Sequence, residues 1–160
     1  MIKADELREL RPDVRYKDGR DITLQSVQAA ISNCAQEMGI PVAFYDEQVK
    51  AGGLFNSSTE DCIVLYHPEH VNDYFKFCIR VRHQGTYAFV SVNDFGKSKQ
   101  LNKAAAVEFG VEDRKGKSLS YKLGSKAVEM IMTAGKNKQK KEEEEFYYQC
   151  VCDIFDDLIS

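Results

Sequence analysis

The alternation of apolar and polar residues around positions 75–92 constrains the fold of this chain more than any other feature. From Phe75 to Arg82 every second residue is apolar, which predicts a β-strand with one buried face. Gln84 and Gly85 follow as a two-residue turn, because glycine adopts a positive φ at little cost. A second strand runs from there to Asn93, so residues 73–93 are predicted to form an antiparallel hairpin.

The two faces of this predicted hairpin differ in chemistry. With the turn at Gln84-Gly85, Ile79 pairs with Val90, and the apolar residues of both strands share one face. On the opposite face Arg82 lies beside Tyr87, and a second arginine lies beside a second aromatic ring, which suits cation–π contacts. We predict that this face binds a partner through four residues: Arg80, Arg82, Tyr87 and Phe89.

Helical periodicity occurs on both sides of the hairpin. Apolar residues at spacings of three and four predict a helix over Thr23–Met38, which Gly39 ends in a left-handed conformation and Pro41 prevents from continuing. The same spacing recurs over Leu123–Ala134 and over Tyr147–Leu158, which predicts two closing helices.

Two short runs of branched and aromatic residues, Val42–Tyr45 and Cys62–Tyr66, add strands between the first helix and the hairpin. The expected fold class is therefore α+β: an antiparallel β-meander of about four to five strands, preceded by one helix and closed by two C-terminal helices. A chain of 160 residues suits a single domain, 1–160. Residues 1–20 alternate in charge around Leu7 and Leu10, and Pro12 would stop a short helix begun there. We expect these residues to form a loosely attached N-terminal arm.

The expected compartment is the cytoplasm. The first 21 residues contain six basic and six acidic side chains and no apolar run, so no export signal is predicted. The five cysteines are an odd number and are expected to be free thiols. The longest apolar run, Cys62–Tyr66, is far too short to cross a membrane.

One segment resembles a metal site in composition. His67 and His70 flank Pro68-Glu69, and Cys62 precedes them, so imidazole and thiolate ligands lie close in sequence. No second ligand cluster completes the set, and Pro68 indicates a polar turn. We therefore predict no metal and no cofactor. The chain also lacks a nucleophile elbow or a zinc-protease motif, which disfavours an enzyme.

These observations favour a non-catalytic protein-binding or self-associating module, with a homodimer expected. The predicted order of elements resembles that of dimeric secretion chaperones, which implies a chaperone-like or adaptor-like role.

Two alternatives belong to other functional classes. The first is a metal-dependent or small-ligand enzyme with a pocket between sheet and helices, involving His67, His70 and His83. The second is single-stranded nucleic-acid binding, with bases stacked on the aromatic rings of the hairpin and phosphates on its arginines. A net charge of −3 makes nucleic acid and anionic membranes poor partners for the chain as a whole.

Overall fold

The computed structural model describes residues 1–53, 55–96 and 135–159, with side chains from residue 138 onward in the last range. In chain order the elements are β1 (Ile2–Lys3), β2 (Arg8–Glu9), β3 (Val14–Tyr16), α1 (Leu24–Met38), β4 (Ala43–Ala51), β5 (Ser58–Tyr66), β6 (Lys76–Gln84), β7 (Tyr87–Phe95) and α2 (Gly135–Leu158). The chain divides into two units, residues 1–96 with 148–160, and residues 97–147. The described part of the second unit is the first half of α2.

All seven strands form one mixed sheet in the first unit. The strand order is β1-β4-β5-β6-β7-β2, and β3 also pairs with β7 beyond the end of β2. The pairing of β1 with β4 is parallel, whereas every other described pairing is antiparallel. The N-terminal residues therefore contribute to both ends of the strand order.

The chain length between β1 and β2 requires this sheet to curl. In a flat sheet of this order β1 and β2 would lie five strand spacings apart, about 24 Å. Lys3 and Arg8 are five residues apart, which spans at most about 18 Å of extended chain, and the 3-10 turn Ala4–Glu6 shortens that reach. The sheet is consequently curled into a half-barrel.

Helix α1 begins and ends at strong local signals. The Thr23 side chain accepts a hydrogen bond from the Ser26 backbone N–H, and the Ser26 hydroxyl accepts one from the Thr23 N–H. Gly39 follows the helix with φ +71°, a left-handed conformation that glycine adopts without strain. Ile31 and Ala35 are fully buried where the helix packs against β5 and β6. The predicted helix over 23–38 is confirmed.

Apolar side chains cover both faces of the sheet. On the face toward the helices, the Phe77 ring lies 5.5 Å from that of Phe155 and 5.2 Å from that of Tyr148 in α2. On the inner face of the curl a second cluster forms between β1, β4, β5, β6 and β7. Its buried members are Ile2, Val49, Cys62, Val64, Cys78 and Phe95, with Leu7 and Tyr45 partly buried against them.

The predicted fold class is wrong in two respects. The sheet is mixed and has seven strands, three of which precede α1, so it is not a plain antiparallel meander. The described residues hold two helices, with α2 alone at the C-terminus; the helix predicted over 123–134 lies outside the described residues. Residues 1–16 contribute β1, β2 and β3 to the sheet, and the loose attachment expected for residues 1–20 stays a prediction. The element order that resembles secretion chaperones is therefore not the observed one.

The predicted hairpin is confirmed as β6–β7, but its turn is displaced by one residue. Gly85 and Thr86 form the loop, and Gly85 has φ +62°, which fits glycine at the first position of a type II′ turn. Ile79 pairs with Val92 instead of Val90. Because a one-residue displacement of the turn shifts every pair by two positions, each side chain stays on its predicted face.

Candidate functional site

The four predicted partner-binding residues lie on one face of β6–β7, the inner face of the curl. The displaced turn puts Arg82 opposite Phe89 rather than Tyr87, and Arg80 opposite Ser91. The Arg82 guanidinium carbon lies 5.6 Å from the centre of the Phe89 ring. A cation–π pair is therefore present, with a different partner from the one predicted.

Both arginines have acidic or amide partners within the chain. Arg80 Nη2 donates to Asn93 Oδ1 at 2.9 Å, and its Nη1 donates to Glu60 Oε2 at 3.4 Å. Arg82 Nη2 donates to Asp13 Oδ2 at 3.0 Å, although the Arg82 side chain remains 54% exposed. The guanidinium of Arg80 is therefore hydrogen-bonded to neighbouring strands of the sheet. Binding of a partner by these four residues stays a prediction.

The residues around His67 form a compact turn of stacked rings. The rings of His70 and Tyr74 are parallel, with centroids 4.0 Å apart, and the His67 ring contacts both edge-on. His67 Nδ1 accepts a hydrogen bond from the Glu69 backbone N–H at 3.1 Å, and His70 Nδ1 lies 3.0 Å from Asp73 Oδ2. Burial, and then the neighbouring His70, lower the pKa of His67.

This turn is poorly suited to hold a metal. Because His67 Nδ1 accepts a backbone hydrogen bond, the neutral ring carries its proton on Nε2. A metal binds through a nitrogen lone pair, so Nε2 would first have to lose this proton. Cys62 belongs to the inner apolar cluster, where it packs with Cys78 and apolar side chains. In the described ranges no group of three or more His, Cys, Asp or Glu side chains is arranged to hold a metal ion.

The histidines do not form a shared pocket. His83 lies at the turn end of β6, where its Nε2 is 2.6 Å from the Ile22 carbonyl oxygen. His67 and His70 precede the other end of that nine-residue strand. The structure therefore does not bring together the three residues on which the enzyme alternative depends.

A buried ionic cluster that the sequence analysis missed joins three elements. Arg8 of β2 donates from both Nε and Nη2 to the Asp94 carboxylate of β7, with the Nε–Oδ1 distance at 2.8 Å. Tyr148 of α2 donates its hydroxyl proton to the same carboxylate, and burial followed by the Asp94 charge raises the pKa of Tyr148. Asp94 is fully buried. The sequence does contain a signal for this cluster, because Asp94 continues the alternating series of Ala88, Val90 and Val92 on the helix-facing side of β7.

Among the described residues, the outer edge of β4 is largely unpaired. β4 pairs with β5 along all nine residues of Ala43–Ala51, but β1 pairs only with Val49 and Lys50 on the other side. Within the residues that the structure describes, no further strand pairs there. Ala43–Gln48 thus presents an edge of about 20 Å whose alternate N–H and C=O groups face outward. At its end next to β1, the Gln48 backbone N–H already donates to Glu47 Oε1 at 2.9 Å, and the Met1 amino group lies 3.3 Å from the same oxygen.

A cleft of about 470 Å³ adjoins this open edge, between the first turns of α1 and strands β4 and β5. Leu24 and Ile63 contribute its apolar surface, and Gln48 Nε2 donates to Asp61 Oδ1 at 3.0 Å across it. Its polar lining residues are Gln25, Gln28, Asp46, Glu47, Gln48 and Asp61. No ion pair in the described part of the chain includes Asp46 or Asp61.

The chain matches no protein-family model, no curated protein and no solved structure. In the described ranges, no helix is long and apolar enough to cross a bilayer. The geometry of the molecule is therefore the basis for a functional proposal.

Proposed function

We propose that this protein is a non-catalytic binding module that captures an extended segment of a protein partner by strand addition to β4. The observation that carries the proposal is the open edge Ala43–Gln48. Strand addition uses backbone hydrogen bonds for affinity and alternate side chains for specificity. A segment of five or six residues fits, because β1 occupies the edge from Val49 onward.

The other described edge offers a shorter platform. β7 is paired along its outer side with β2 and β3, and those strands have two and three residues. Hydrogen bonds accumulate along a strand pair, so a six-residue stretch supports an added strand better than either of these. Among the described strands, β4 is the favoured platform.

A second copy of the chain is a poor occupant of this edge. In antiparallel two-fold registers that pair most of Ala43–Gln48, Asp46 of one copy lies opposite or diagonal to Asp46 or Glu47 of the other. Like charges in those positions destabilise a strand pair by roughly 0.2–1 kcal/mol each. The charges therefore oppose edge-to-edge self-association and favour a different protein as partner.

Two peptides that differ only in the position of N-methyl groups test strand addition directly. In an extended eight-residue peptide of valine, threonine and lysine, methylating alternate amides removes donors along one edge only. We expect one peptide to bind and the other to fail, because only one edge of an added strand faces β4. The measurement is NMR titration with amide exchange, and protection should increase at Ala43–Gln48. Equal binding of both peptides, or protection confined to other strands, would overturn the proposal.

The predicted hairpin surface provides the comparison for that experiment. Arg82→Ala and Tyr87→Ala alter exposed or half-exposed side chains of β6–β7 and leave the β4 edge unchanged. Peptide affinity within about twofold of the wild type is the expected result, since such a change is less than about 0.5 kcal/mol. A large loss of affinity in these variants would place the binding site on the face of Arg80, Arg82, Tyr87 and Phe89 instead.

A further inference from the structure

We infer that the segment added to β4 carries a lysine or arginine whose side chain enters the adjoining cleft. This inference rests on the proposed function, because it is a strand added to that edge that places a partner's side chain over the cleft. Side chains of an added strand alternate between the two faces of the sheet. Those on the helix-covered face project over Asp46 and Gln48, which line the cleft.

The charge of the cleft selects the sign of that side chain. Asp46 and Asp61 lie on adjacent strands in diagonal positions, since Gln48 pairs with Asp61 and Asp46 with Ile63. Both are exposed, and neither forms an ion pair in the part of the chain that the structure describes. A cation between them interacts favourably with two carboxylates at once.

The first turn of α1 opposes this attraction only in part. A helix N-terminus acts as roughly half of a positive charge, and its effect is confined to the first turn. At the start of α1 the capping box of Thr23 and Ser26 already engages backbone N–H groups. Two carboxylates outweigh this half charge, so the cleft remains attractive to a cation.

The apolar part of the cleft selects the shape of the side chain. Leu24 and Ile63 line it together with the two carboxylates. Lysine and arginine combine a hydrocarbon stem with a cationic end, so the stem covers apolar surface while the charge reaches the acids. A small cation would leave the apolar residues of the cleft uncovered, and an uncharged aliphatic side chain would leave the carboxylates without a cationic partner.

Three eight-residue peptides that differ only at the cleft-facing positions test the inference. These positions carry lysine, norleucine or glutamate, and the remaining residues are valine and threonine. We expect the lysine peptide to bind at least about tenfold more tightly than the glutamate peptide, with norleucine between them. The difference should shrink as salt increases, because the two carboxylates are exposed. Affinities are measured by isothermal titration calorimetry at two salt concentrations.

The double variant Asp46→Asn, Asp61→Asn has a matched control of equal net charge in Asp18→Asn, Asp21→Asn, at two exposed acids outside the cleft. The cleft variant should lose the preference for lysine over norleucine, whereas the control should keep it. Equal loss in both variants would mean attraction to the net charge and would overturn the inference.

If all three peptides bind alike, the inference fails but strand addition stands. If none of them binds the wild type, the proposed function itself fails.

Discussion

Asp94 connects three elements of the first unit that are far apart in sequence: β2, β7 and α2. Its carboxylate accepts hydrogen bonds from Arg8 in β2 and Tyr148 in α2, and it has no exposed surface. A buried carboxylate is tolerated only when its lone pairs are satisfied. Arg8 also stacks on Phe75, with its guanidinium carbon 5.2 Å from the ring centre. The cluster holds the N-terminal strands and the C-terminal helix to the sheet.

Asp94→Asn should therefore be strongly destabilising. The amide leaves the charge of Arg8 without its carboxylate, and removal of one partner from a buried pair costs about 3 kcal/mol. The matched control is Tyr148→Phe, which removes one hydrogen bond to a charged group and should cost about 1.5 kcal/mol. Urea denaturation gives both free energies of unfolding. A smaller loss for Asp94→Asn than for Tyr148→Phe would contradict this assignment.

His67 makes the stability of the protein dependent on pH. Burial and the neighbouring His70 lower its pKa, so the folded state binds this proton less readily than the unfolded chain, whose histidine titrates near 6.5. Stability from this group is present above pH 6.5 and decreases as the pH falls through that value toward the lowered pKa. Glu69 and Asp73 oppose the shift by favouring the charged ring.

The comparison of wild type with His67→Gln isolates this contribution. Between pH 7.5 and 5 the free energy of unfolding of the wild type should fall more steeply than that of the variant. Groups that do not interact with His67 contribute equally to both proteins and cancel in the difference. Urea denaturation at several pH values provides the measurement, and parallel pH profiles would show that His67 keeps its ordinary pKa in the folded protein.

At the scale of elements, the C-terminus of α2 is held by an arginine from the N-terminal segment. Arg11 Nη2 donates to the carbonyl oxygens of Phe155 and Ile159, and its Nη1 donates to Asp156 Oδ1 at 2.7 Å. The last carbonyl groups of a helix lack partners within the helix and carry partial negative charge. Arg11 supplies both a donor and a positive charge at that point.

Arg11→Met keeps the hydrocarbon stem and removes the donors, so the last turn of α2 should fray. We expect a loss of about 1–2 kcal/mol in the free energy of unfolding and faster amide exchange at the end of α2. Asp156→Asn is the control, because that carboxylate is 67% exposed and its ion pair contributes less than about 0.5 kcal/mol. Equal losses in both variants would assign the effect to the ion pair instead of the helix end.

Elements with complete local signals were predicted well, and elements defined by distant pairing were not. Helix α1 has its cap, its period and its terminal glycine within 17 residues of sequence. Strand β4 was predicted only over 42–45, because Asp46 and Glu47 interrupt the apolar pattern, yet pairing with β5 extends it to Ala51. Strands of two or three residues, such as β1 and β2, are too short for any periodicity to appear.

The candidate site follows the same division. The sequence correctly placed Arg80, Arg82, Tyr87 and Phe89 on one face, because the period of two survives a displaced turn. It did not show that Glu60, Asn93 and Asp13 engage the arginines, since those contacts depend on how the strands pair. An open edge is likewise a property of the assembled sheet. Even a complete list of strands would leave the edge at β4 undetermined without the strand order.

At the scale of the first unit, the N-terminal nine residues link the two ends of the strand order. β1 adds to β4 and β2 adds to β7, and Ile2 and Leu7 pack into the inner cluster between them. Because β1 and β2 share one short stretch of chain, loosening either is expected to loosen the other. The curl of the sheet is thus stabilised by residues 1–9.

Ile2→Ala tests this coupling. Ile2 is 5% exposed, and truncation of a buried isoleucine costs about 3 kcal/mol through lost apolar contacts and the cavity that remains. We expect amide exchange to accelerate at Val49 and Lys50, where β1 pairs, and also at Asn93 and Asp94, where β2 pairs. Lys3→Ala, on the exposed side of the same strand, should change neither region. Acceleration confined to β4 would show that the two strands open independently and that the curl does not depend on their connection.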